Sequence, residues 1–174
     1  MDKKELRRDV RKRIAEMTMA EKKESSVRIE SGIKHSVVAQ GARVVALFSP
    51  LSDEPQLWPL IEWLAEDVVV VLPRINGDDM EFYPYDNCLS IGAFGIMEPI
   101  SGDIVQPCEI DVMIVPGVAF TTDGRRMGRG KGFYDKYMSR CGFRALKIGV
   151  CYPVQLVDCL PCEEHDVSVD VVLY

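Results

Sequence analysis

A short run of alternating glycines and cations, residues 128–132, has the residue types that hold a polyphosphate. Glycines at 128, 130 and 132 allow backbone amide groups to approach an anion closely, and Arg129 and Lys131 supply positive charge between them. We call residues 128–132 the glycine loop. It does not match the Walker pattern Gly-x-x-x-x-Gly-Lys-Ser/Thr, so its spacing predicts an anion-binding loop and leaves a flexible basic loop without function as the alternative.

Charge is unevenly distributed along the chain. The 174 residues carry a net charge of −6, yet residues 121–147 contain eight basic side chains and only two acids. A second basic cluster, residues 1–13, contains seven basic side chains and three acids. Because charges are screened beyond roughly 8 Å at physiological salt, each cluster acts locally. Two basic patches on an acidic body predict a compact polyanionic ligand and argue against a long nucleic acid.

The N-terminal third has helical signals. Apolar residues recur at helical spacing over residues 3–17, which predicts an amphipathic helix with a cationic polar face. Thr18 and Glu21 have the spacing of a capping box, so a second helix is expected to start there and to end near Gln40, before Gly41. A helical hairpin is therefore expected at the start of the chain.

The rest of the chain alternates between strand and helix signals. Continuous apolar runs are typical of strands buried on both faces of a parallel sheet. The predicted strands cover residues 43–49, 68–73, 80–85, 111–117, 146–152 and 170–174. A crossover helix is expected within residues 55–67. The pattern predicts a single α/β domain, residues 1–174, with a mainly parallel central sheet flanked by helices in three layers.

The predicted fold also locates the glycine loop. The loop follows the strand at residues 111–117, and ligands of parallel sheets bind beyond the carboxyl ends of the strands. Phe133 and Tyr137 have helical spacing, which predicts a helix over residues 133–140 with its positive N-terminal end facing the loop. The position of the glycine loop and its charge thus both predict an anion site at this edge of the sheet.

Cellular location is predicted from what the sequence lacks. No apolar run approaches the roughly 20 residues of a membrane span, and the basic N-terminus has no signal-peptide core, so a cytoplasmic protein is expected. The six cysteines are then expected to be reduced thiols, many of them buried. Cys159, Cys162 and His165 have C-x-x-C-x-x-H spacing, but the sequence offers no second pair, which disfavours a structural zinc site.

Six stretches, in order along nearly the whole chain, closely resemble the 5-formyltetrahydrofolate cyclo-ligase family, whose members are also called methenyltetrahydrofolate synthetases. They are KKELRRDVRKRI, SPLSDEPQLWPLI, LPRINGDDMEFYPY, FGIMEP, PGVAFTTDGRRMGRGKGFYDKY and PCEEHDVSVDVVLY. The resemblance implies an α/β sandwich and an enzyme that needs ATP and Mg²⁺. The implied reaction converts 5-formyltetrahydrofolate to 5,10-methenyltetrahydrofolate and releases ADP and phosphate.

The resemblance also implies roles in ATP binding. Phosphate contacts fall on Lys3 and Arg7, one turn apart on the first helix. The ATP loop falls on Arg126, Met127, Gly128, Arg129, Gly130, Lys131, Gly132, Phe133 and Tyr134. Arg129 and Lys131 are the expected catalytic residues, because transfer of a phosphoryl group to the formyl oxygen depends mainly on positioning and on neutralising oxygen charge. A solvated helix face is the alternative for Lys3 and Arg7.

Folate and metal contacts follow from the same resemblance. Folate binding is implied for Glu54, Arg129, Gly130, Lys131, Gly132 and Phe133. Asp135 and Asp166 are the implied Mg²⁺ ligands, and His165 is expected to orient Asp166. Purely structural alternatives remain for all three acids: a helix N-terminal acid for Glu54 and for Asp135, and a turn residue for Asp166. Phe133 stands where many relatives have tyrosine, so any hydroxyl contact there is absent.

The sequence also gives expectations for the partners of the protein and for alternative functions. The implied partner is 5-formyltetrahydrofolate, with or without a polyglutamate tail, and a monomer without nucleic-acid or membrane partners is expected. The roles of Arg74 and Glu98 stay open. One alternative is a non-catalytic module that binds a nucleotide or RNA and needs no Mg²⁺. The other is a sugar-phosphate isomerase or CoA-transferase-like enzyme, which would not hydrolyse ATP.

Overall fold

The computed structural model describes residues 2–174, except for the side chain of Ala93. Its helices are α1 (Lys3–Glu16), α2 (Met19–Gln40), α3 (Trp58–Leu64) and α4 (Phe133–Met138). Capping boxes at Asp2 and Thr18 start the first two helices, and Gly41 ends α2 in the left-handed conformation at φ 58°. The sequence predicted these two helices as a helical hairpin; both helices are present, but they pack in different clusters.

The strands in chain order are β1 (Val44–Ala46), β2 (Val69–Asn76), β3 (Asp79–Pro84), β4 (Leu89–Ile91), β5 (Met97–Pro99), β6 (Val112–Pro116), β7 (Ala119–Phe120), β8 (Arg126–Met127), β9 (Leu146–Val150) and β10 (Val171–Leu173). Six of them form the central sheet in the order β10-β9-β6-β1-β2-β3. Every pairing in this sheet is parallel except that of β2 with β3. The mainly parallel α/β sheet expected from the sequence is confirmed.

The two faces of the sheet bury different clusters. On one face Leu47 of the segment after β1 packs with Ile33 of α2 and Ile61 of α3. On the other face Tyr137 of α4 packs with Phe82 of β3. These clusters, rich in fully buried apolar side chains, give the three layers that the sequence predicts.

The first two helices do not share one core. Leu6, Val10 and Ile14 of α1 pack in a third cluster with Met127 and Tyr152, whereas the apolar side of α2 packs on the sheet. The position of α1 follows from this cluster, because Met127 belongs to β8, directly before the glycine loop. Helix α1 therefore supports the glycine loop, and α2 supports the sheet.

Several elements differ from the sequence expectation in extent. Helix α3 covers Trp58–Leu64 and not the whole of residues 55–67, because the Gln56 amide side chain bonds to the carbonyl groups of Leu51 and Glu54 and keeps that segment in a loop. Two small ribbons, β4 with β5 and β7 with β8, were not predicted. Arg126 and Met127 are consequently buried strand residues, while the sequence assigned them to a loop.

The cysteines are free, as expected, but their burial was predicted wrongly. Only Cys151 is buried, and burial raises the pKa of its thiol to about 12. The other five are exposed. Within residues 2–174, no helix has both the length and the apolar character needed to cross a membrane.

Candidate active site

A cavity of about 340 Å³ lies at the carboxyl ends of the central strands. Phe48 after β1, Pro73 of β2 and Pro116 of β6 contribute to its wall, which is largely apolar. The polar lining residues are Glu54, Glu98, Arg126, Arg129, Lys131, Tyr134 and Asp135. The location that the sheet topology predicted for a ligand is therefore an existing concave site that contains the glycine loop.

The glycine loop adopts backbone conformations that need glycine. Gly130 and Gly132 have φ values of 106° and 71°, a region that side chains disfavour. Arg7 of α1 donates a hydrogen bond from Nε to the carbonyl oxygen of Gly128 at 2.9 Å. A Cβ atom added at Gly130 would lie 3.5 Å from the same guanidinium group. Arg7, an expected phosphate contact, thus lies against the glycine loop.

Helix α4 follows the loop but is shorter than predicted. It begins after Gly132 and ends at Met138, not at Arg140, because the Arg140 backbone N–H bonds to the carbonyl oxygen of Tyr137, three residues back, and no longer makes the α-helical bond four residues back. A helix of six residues has a small dipole. Positive charge near the loop therefore comes mainly from side chains.

Lys131 extends from the loop toward an aromatic residue that sequence reasoning missed. Its Nζ atom lies 5.8 Å from the ring centroid of Phe94, and the Phe94 ring lies 6.3 Å from that of Phe133. Phe94 is 60% exposed and has a positive φ of 61°, which is uncommon for a bulky residue. Among the residues described, no carboxylate forms an ion pair with Lys131. The only sequence signal for Phe94 was its place in the stretch FGIMEP.

Arg129 joins the loop to two acids. Its Nη2 atom lies 2.6 Å from Asp53 and 2.8 Å from Oε1 of Glu54, and its Nε atom donates to the same Glu54 oxygen at 3.1 Å. Burial would lower the pKa of Arg129, but the two carboxylates outweigh it and raise that pKa. The structure therefore brings together Arg129 and Glu54, both expected folate contacts, and adds Asp53, which the sequence reasoning missed.

Glu54 is itself firmly held. It is 6% exposed, and its Oε2 atom accepts a hydrogen bond from the Leu51 backbone at 2.9 Å. Its carbonyl oxygen accepts one from the Tyr152 hydroxyl at 2.8 Å. Both carboxylate oxygens of Glu54 thus have protein partners.

Arg126 and Asp135 form a buried ion pair. The Arg126 side chain is 3% exposed, and its Nη2 atom lies 2.7 Å from Oδ2 of Asp135, close but without the alignment of a good hydrogen bond. Its Nη1 atom donates to the Pro116 carbonyl oxygen at 3.4 Å. The hydroxyl of Tyr134 beside it is buried without a partner among residues 2–174, and burial raises the pKa of this hydroxyl, so it stays neutral. In this arrangement Arg126 holds Asp135.

The two expected metal ligands lie in neighbouring parts of the site. Oδ1 of Asp135 accepts a hydrogen bond from the backbone of Val167 at 3.1 Å, directly after Asp166. Oδ2 of Asp166 accepts from Lys3 Nζ at 3.0 Å and from the Glu163 backbone at 2.8 Å. Burial would raise the pKa of Asp166, but these bonds from Glu163 and Lys3 outweigh it and lower that pKa. Carboxylate oxygens are the donors that Mg²⁺ takes, but the close group of candidate ligands around Asp166 contains Glu163 and His165 and not Asp135.

His165 does not orient Asp166 as expected. Its Nε2 atom lies 3.1 Å from a carboxylate oxygen of Glu163, and the described residues show no hydrogen bond between His165 and Asp166. Potential ligand atoms of Glu163, His165 and Asp166 lie within 4.8 Å of one another. Neither Cys159 nor Cys162 belongs to this group.

Arg74 and Glu98 lie together on β2 and β5. Oε1 of Glu98 accepts a hydrogen bond from the Ile75 backbone at 3.3 Å, and Glu98 is 5% exposed. The Arg74 guanidinium stacks 3.8 Å from the ring centroid of Tyr83 and donates to the Pro99 carbonyl oxygen at 3.4 Å. Arg74 is therefore structural, while Glu98 lines the cavity.

Known proteins resemble this chain over most of its length. The model of the 5-formyltetrahydrofolate cyclo-ligase family matches residues 1–174. The 5-formyltetrahydrofolate cyclo-ligase of Escherichia coli K12 is 33% identical over 141 residues, which are 76% of this chain and 78% of that protein. The same enzyme of Mus musculus is 24% identical over 185 residues, covering 97% and 91% of the two chains.

A solved structure shares the fold across the whole chain. The NMR structure of Aquifex aeolicus 5,10-methenyltetrahydrofolate synthetase superimposes with a TM-score of 0.88 at 36% identity, covering 99% of this chain and 89% of that chain. A Mycoplasma pneumoniae 5,10-methenyltetrahydrofolate synthetase has a TM-score of 0.82 at 24% identity, covering 99% and 98%. With its glycine loop, buried acids and full-length match, the chain belongs to the 5-formyltetrahydrofolate cyclo-ligase family.

Proposed function

We propose that this protein cyclises 5-formyltetrahydrofolate to 5,10-methenyltetrahydrofolate with hydrolysis of ATP to ADP and phosphate. The observation that carries the proposal is one cavity that combines a cationic loop with buried acids in a largely apolar wall. The glycine loop supplies Lys131, which has no acid partner among residues 2–174, and Glu54 and Glu98 are the buried acids. A polyphosphate fits the loop, and a flat ring with N–H donors fits the apolar wall with its acids.

The reaction needs positioning more than a protein nucleophile. The formyl oxygen attacks the γ-phosphorus of ATP and ADP leaves, after which the folate N10 atom attacks the activated carbon and phosphate leaves. Lys131 is the cation best suited to the transferring group, because Arg129 already has two carboxylate partners. Neutralising oxygen charge in a site shielded from water stabilises such a transition state strongly. Arg129 in turn would hold the loop against Glu54 and the folate.

Residues of α1 and two acids complete the proposed ATP site. Arg7 binds the loop carbonyl of Gly128 and Lys3 reaches Asp166, so both cations lie where phosphates would enter. Asp135 and Asp166 would hold Mg²⁺, which neutralises phosphate charge when it is bound. Arg126 keeps the Asp135 carboxylate in place for this role.

A cytoplasmic monomer is the proposed state of the protein. Six free cysteines, five of them exposed, are typical of a reducing compartment. An RNA-binding module is not favoured, since RNA recognition uses a broad cationic face and two cations of the basic run, Lys136 and Arg140, are paired with acids of β3. Membership of the cyclo-ligase family argues against the isomerase and CoA-transferase alternatives.

A direct assay tests the proposal. The methenyl product has its own absorbance, so its formation from 5-formyltetrahydrofolate can be followed while ATP or Mg²⁺ is omitted. We expect product only when both are present, with one ADP formed per methenyl group. No product with all components, or product formed without ADP, would refute the activity.

A further inference from the structure

Glu98 is a buried carboxylate of the cavity wall to which no role has yet been given. It lies on β5, in the small ribbon beside the sheet, and is 5% exposed. The loop after β1 anchors this ribbon, since the Ser49 hydroxyl donates to the carbonyl oxygen of Met97. Glu98 lines the same cavity as Glu54 and Lys131. Its position is therefore built into the fold and faces the ligand space.

The chain leaves room for this carboxylate. Gly92 lies so close that a Cβ atom added there would be 2.1 Å from Oε2 of Glu98. Any side chain at position 92 would displace the acid, because atoms cannot approach so closely. The ribbon thus accommodates the Glu98 carboxylate at the cavity wall.

The carboxylate has few partners for a buried acid. Among the residues described, its only hydrogen bond is the one from the Ile75 backbone, and it forms no ion pair. Burial raises the pKa of Glu98, which the Ile75 bond and the charge of Arg74 only partly offset. An ionised carboxylate can accept about four hydrogen bonds, and leaving those sites empty in a buried position is costly. Glu98 therefore has acceptor capacity to offer a ligand.

Glu54 provides the contrast. Its carboxylate already accepts bonds from Arg129 on one oxygen and from the Leu51 backbone on the other. Of the two buried glutamates in the cavity, Glu98 is the less satisfied. It is also flanked by apolar wall residues, Ile75 and Ile96, that suit the faces of a flat ring.

We propose that Glu98 binds N–H groups of the reduced pterin ring and is a second substrate-binding carboxylate beside Glu54. This inference rests on the proposed function. A reduced pterin carries N–H donors on its amino group and on ring nitrogens, which match the unfilled acceptor sites of Glu98. Because a buried acceptor rejects a ring that lacks matching donors, Glu98 would also contribute to ligand specificity.

The test compares Glu98→Gln with Glu30→Gln. Glutamine has the shape of glutamate and can still accept from Ile75, but it presents an amide donor where the ligand also has donors. Glu30 is the matched control, because burial also raises its pKa while it lies on α2, away from the cavity. Binding of 5-formyltetrahydrofolate is measured by calorimetry without ATP, together with the KM values and the thermal midpoint of the ligand-free protein.

Glu98→Gln should weaken folate affinity by about 10- to 150-fold, the range for a lost hydrogen bond to a charged group. The KM for ATP should not change, and the ligand-free midpoint should stay equal or rise, since a poorly paired buried charge has been removed. Glu30→Gln should retain wild-type affinity. Unchanged folate affinity in Glu98→Gln, or a lowered midpoint with equal losses for ATP and folate, would overturn the inference.

The same experiment separates this inference from the proposed function. If the wild-type protein forms methenyl product and Glu98→Gln binds folate normally, only the role of Glu98 is wrong. If the wild-type protein forms no product but binds the folate through Glu98, the binding role stands and the proposed reaction is wrong. If the wild-type protein neither binds nor converts the folate, both are wrong.

Discussion

Two halves of one basic run have different environments in the structure. Lys131 in the glycine loop is exposed and forms no ion pair with any acid of residues 2–174. Lys136 and Arg140 of the following segment lie 2.6 Å and 2.7 Å from acids of β3. Lys131 therefore offers charge to a ligand, while Lys136 and Arg140 attach α4 and the turn after it to the edge of the sheet.

The contrast arises from position in the fold. Lys136 lies in α4 and Arg140 in the turn directly after it, and both reach acids of β3. Asp79 and Glu81 are two residues apart on β3, so they share one face of that strand. The Glu81 bond raises the pKa of Arg140, and Lys136 lowers that of Asp79. Within this basic run, the fold thus leaves Lys131 without an acid partner among residues 2–174 and gives one to both Lys136 and Arg140.

Of the changes considered, removal of the metal should have the largest effect on turnover. We expect EDTA to abolish methenyl formation and added Mg²⁺ to restore it, because the transferring phosphoryl group loses most of its charge neutralisation. Thermal unfolding measured in parallel should change little, which excludes denaturation as the cause. Turnover at the full rate in EDTA would contradict the assignment of Asp135 and Asp166.

Asp135→Asn should shift the Mg²⁺ titration strongly and also destabilise the protein. The loss of charge leaves Arg126 buried and unpaired, a change that typically costs about 3–5 kcal/mol. Urea denaturation and the Mg²⁺ dependence of turnover measure the two effects.

The double variant Arg126→Met/Asp135→Asn separates these effects. It should recover much of the stability, because no buried charge is left alone, but not the metal dependence. An unchanged Mg²⁺ titration in Asp135→Asn would show that this acid does not bind the metal.

Arg7→Met should raise the KM for ATP by about 10-fold or more, since it removes a charge-assisted contact beside the loop. The KM for the folate should change much less. Lys12→Met on the same helix is the control, because Lys12 is 77% exposed and makes only a 3.9 Å contact with Glu16. Equal rises in both KM values for Arg7→Met would point to a folding defect.

The smallest effect on turnover is expected from a substitution in the later part of the basic run. Arg140→Met should lower the free energy of unfolding by about 1 kcal/mol or less, as is usual for ion pairs close to the surface. Chemical denaturation of Arg140→Met and wild type measures the difference, and turnover should be retained. A large loss of turnover with intact stability would mean that Arg140 also serves the ligand.

The sequence predicted the mainly parallel sheet well, because the burial of strands follows from apolar patterning. The residues at 112–116 and 146–150 are apolar enough to be recognised as strands from local composition alone. The glycine loop was recognised for the same local reason, namely the spacing of Arg129 and Lys131 among glycines. Only the family resemblance indicated that residues of helix α1 act at the same site.

What the sequence did not reveal depends on distant contacts. The pairing of Arg129 with Asp53 spans 76 residues, and no local pattern marks Asp53 as its partner. Arg126 was expected to contact ATP, yet a two-residue strand directs it to Asp135. Phe94 lies in the turn between β4 and β5, and Glu98 lies in β5, a strand too short to show periodicity, so only tertiary packing brings them to the cavity.

The most direct test of the account compares Lys131→Met with Arg140→Met in the methenyl assay. Both substitutions remove one cation from the same basic run, but only Lys131 faces the cavity. We expect Lys131→Met to lower kcat/KM by about 10- to 150-fold, largely through kcat, with unfolding stability unchanged. Arg140→Met should remain close to wild type in kcat/KM. Indistinguishable effects of the two substitutions on turnover would contradict the assignment of this cavity as the active site.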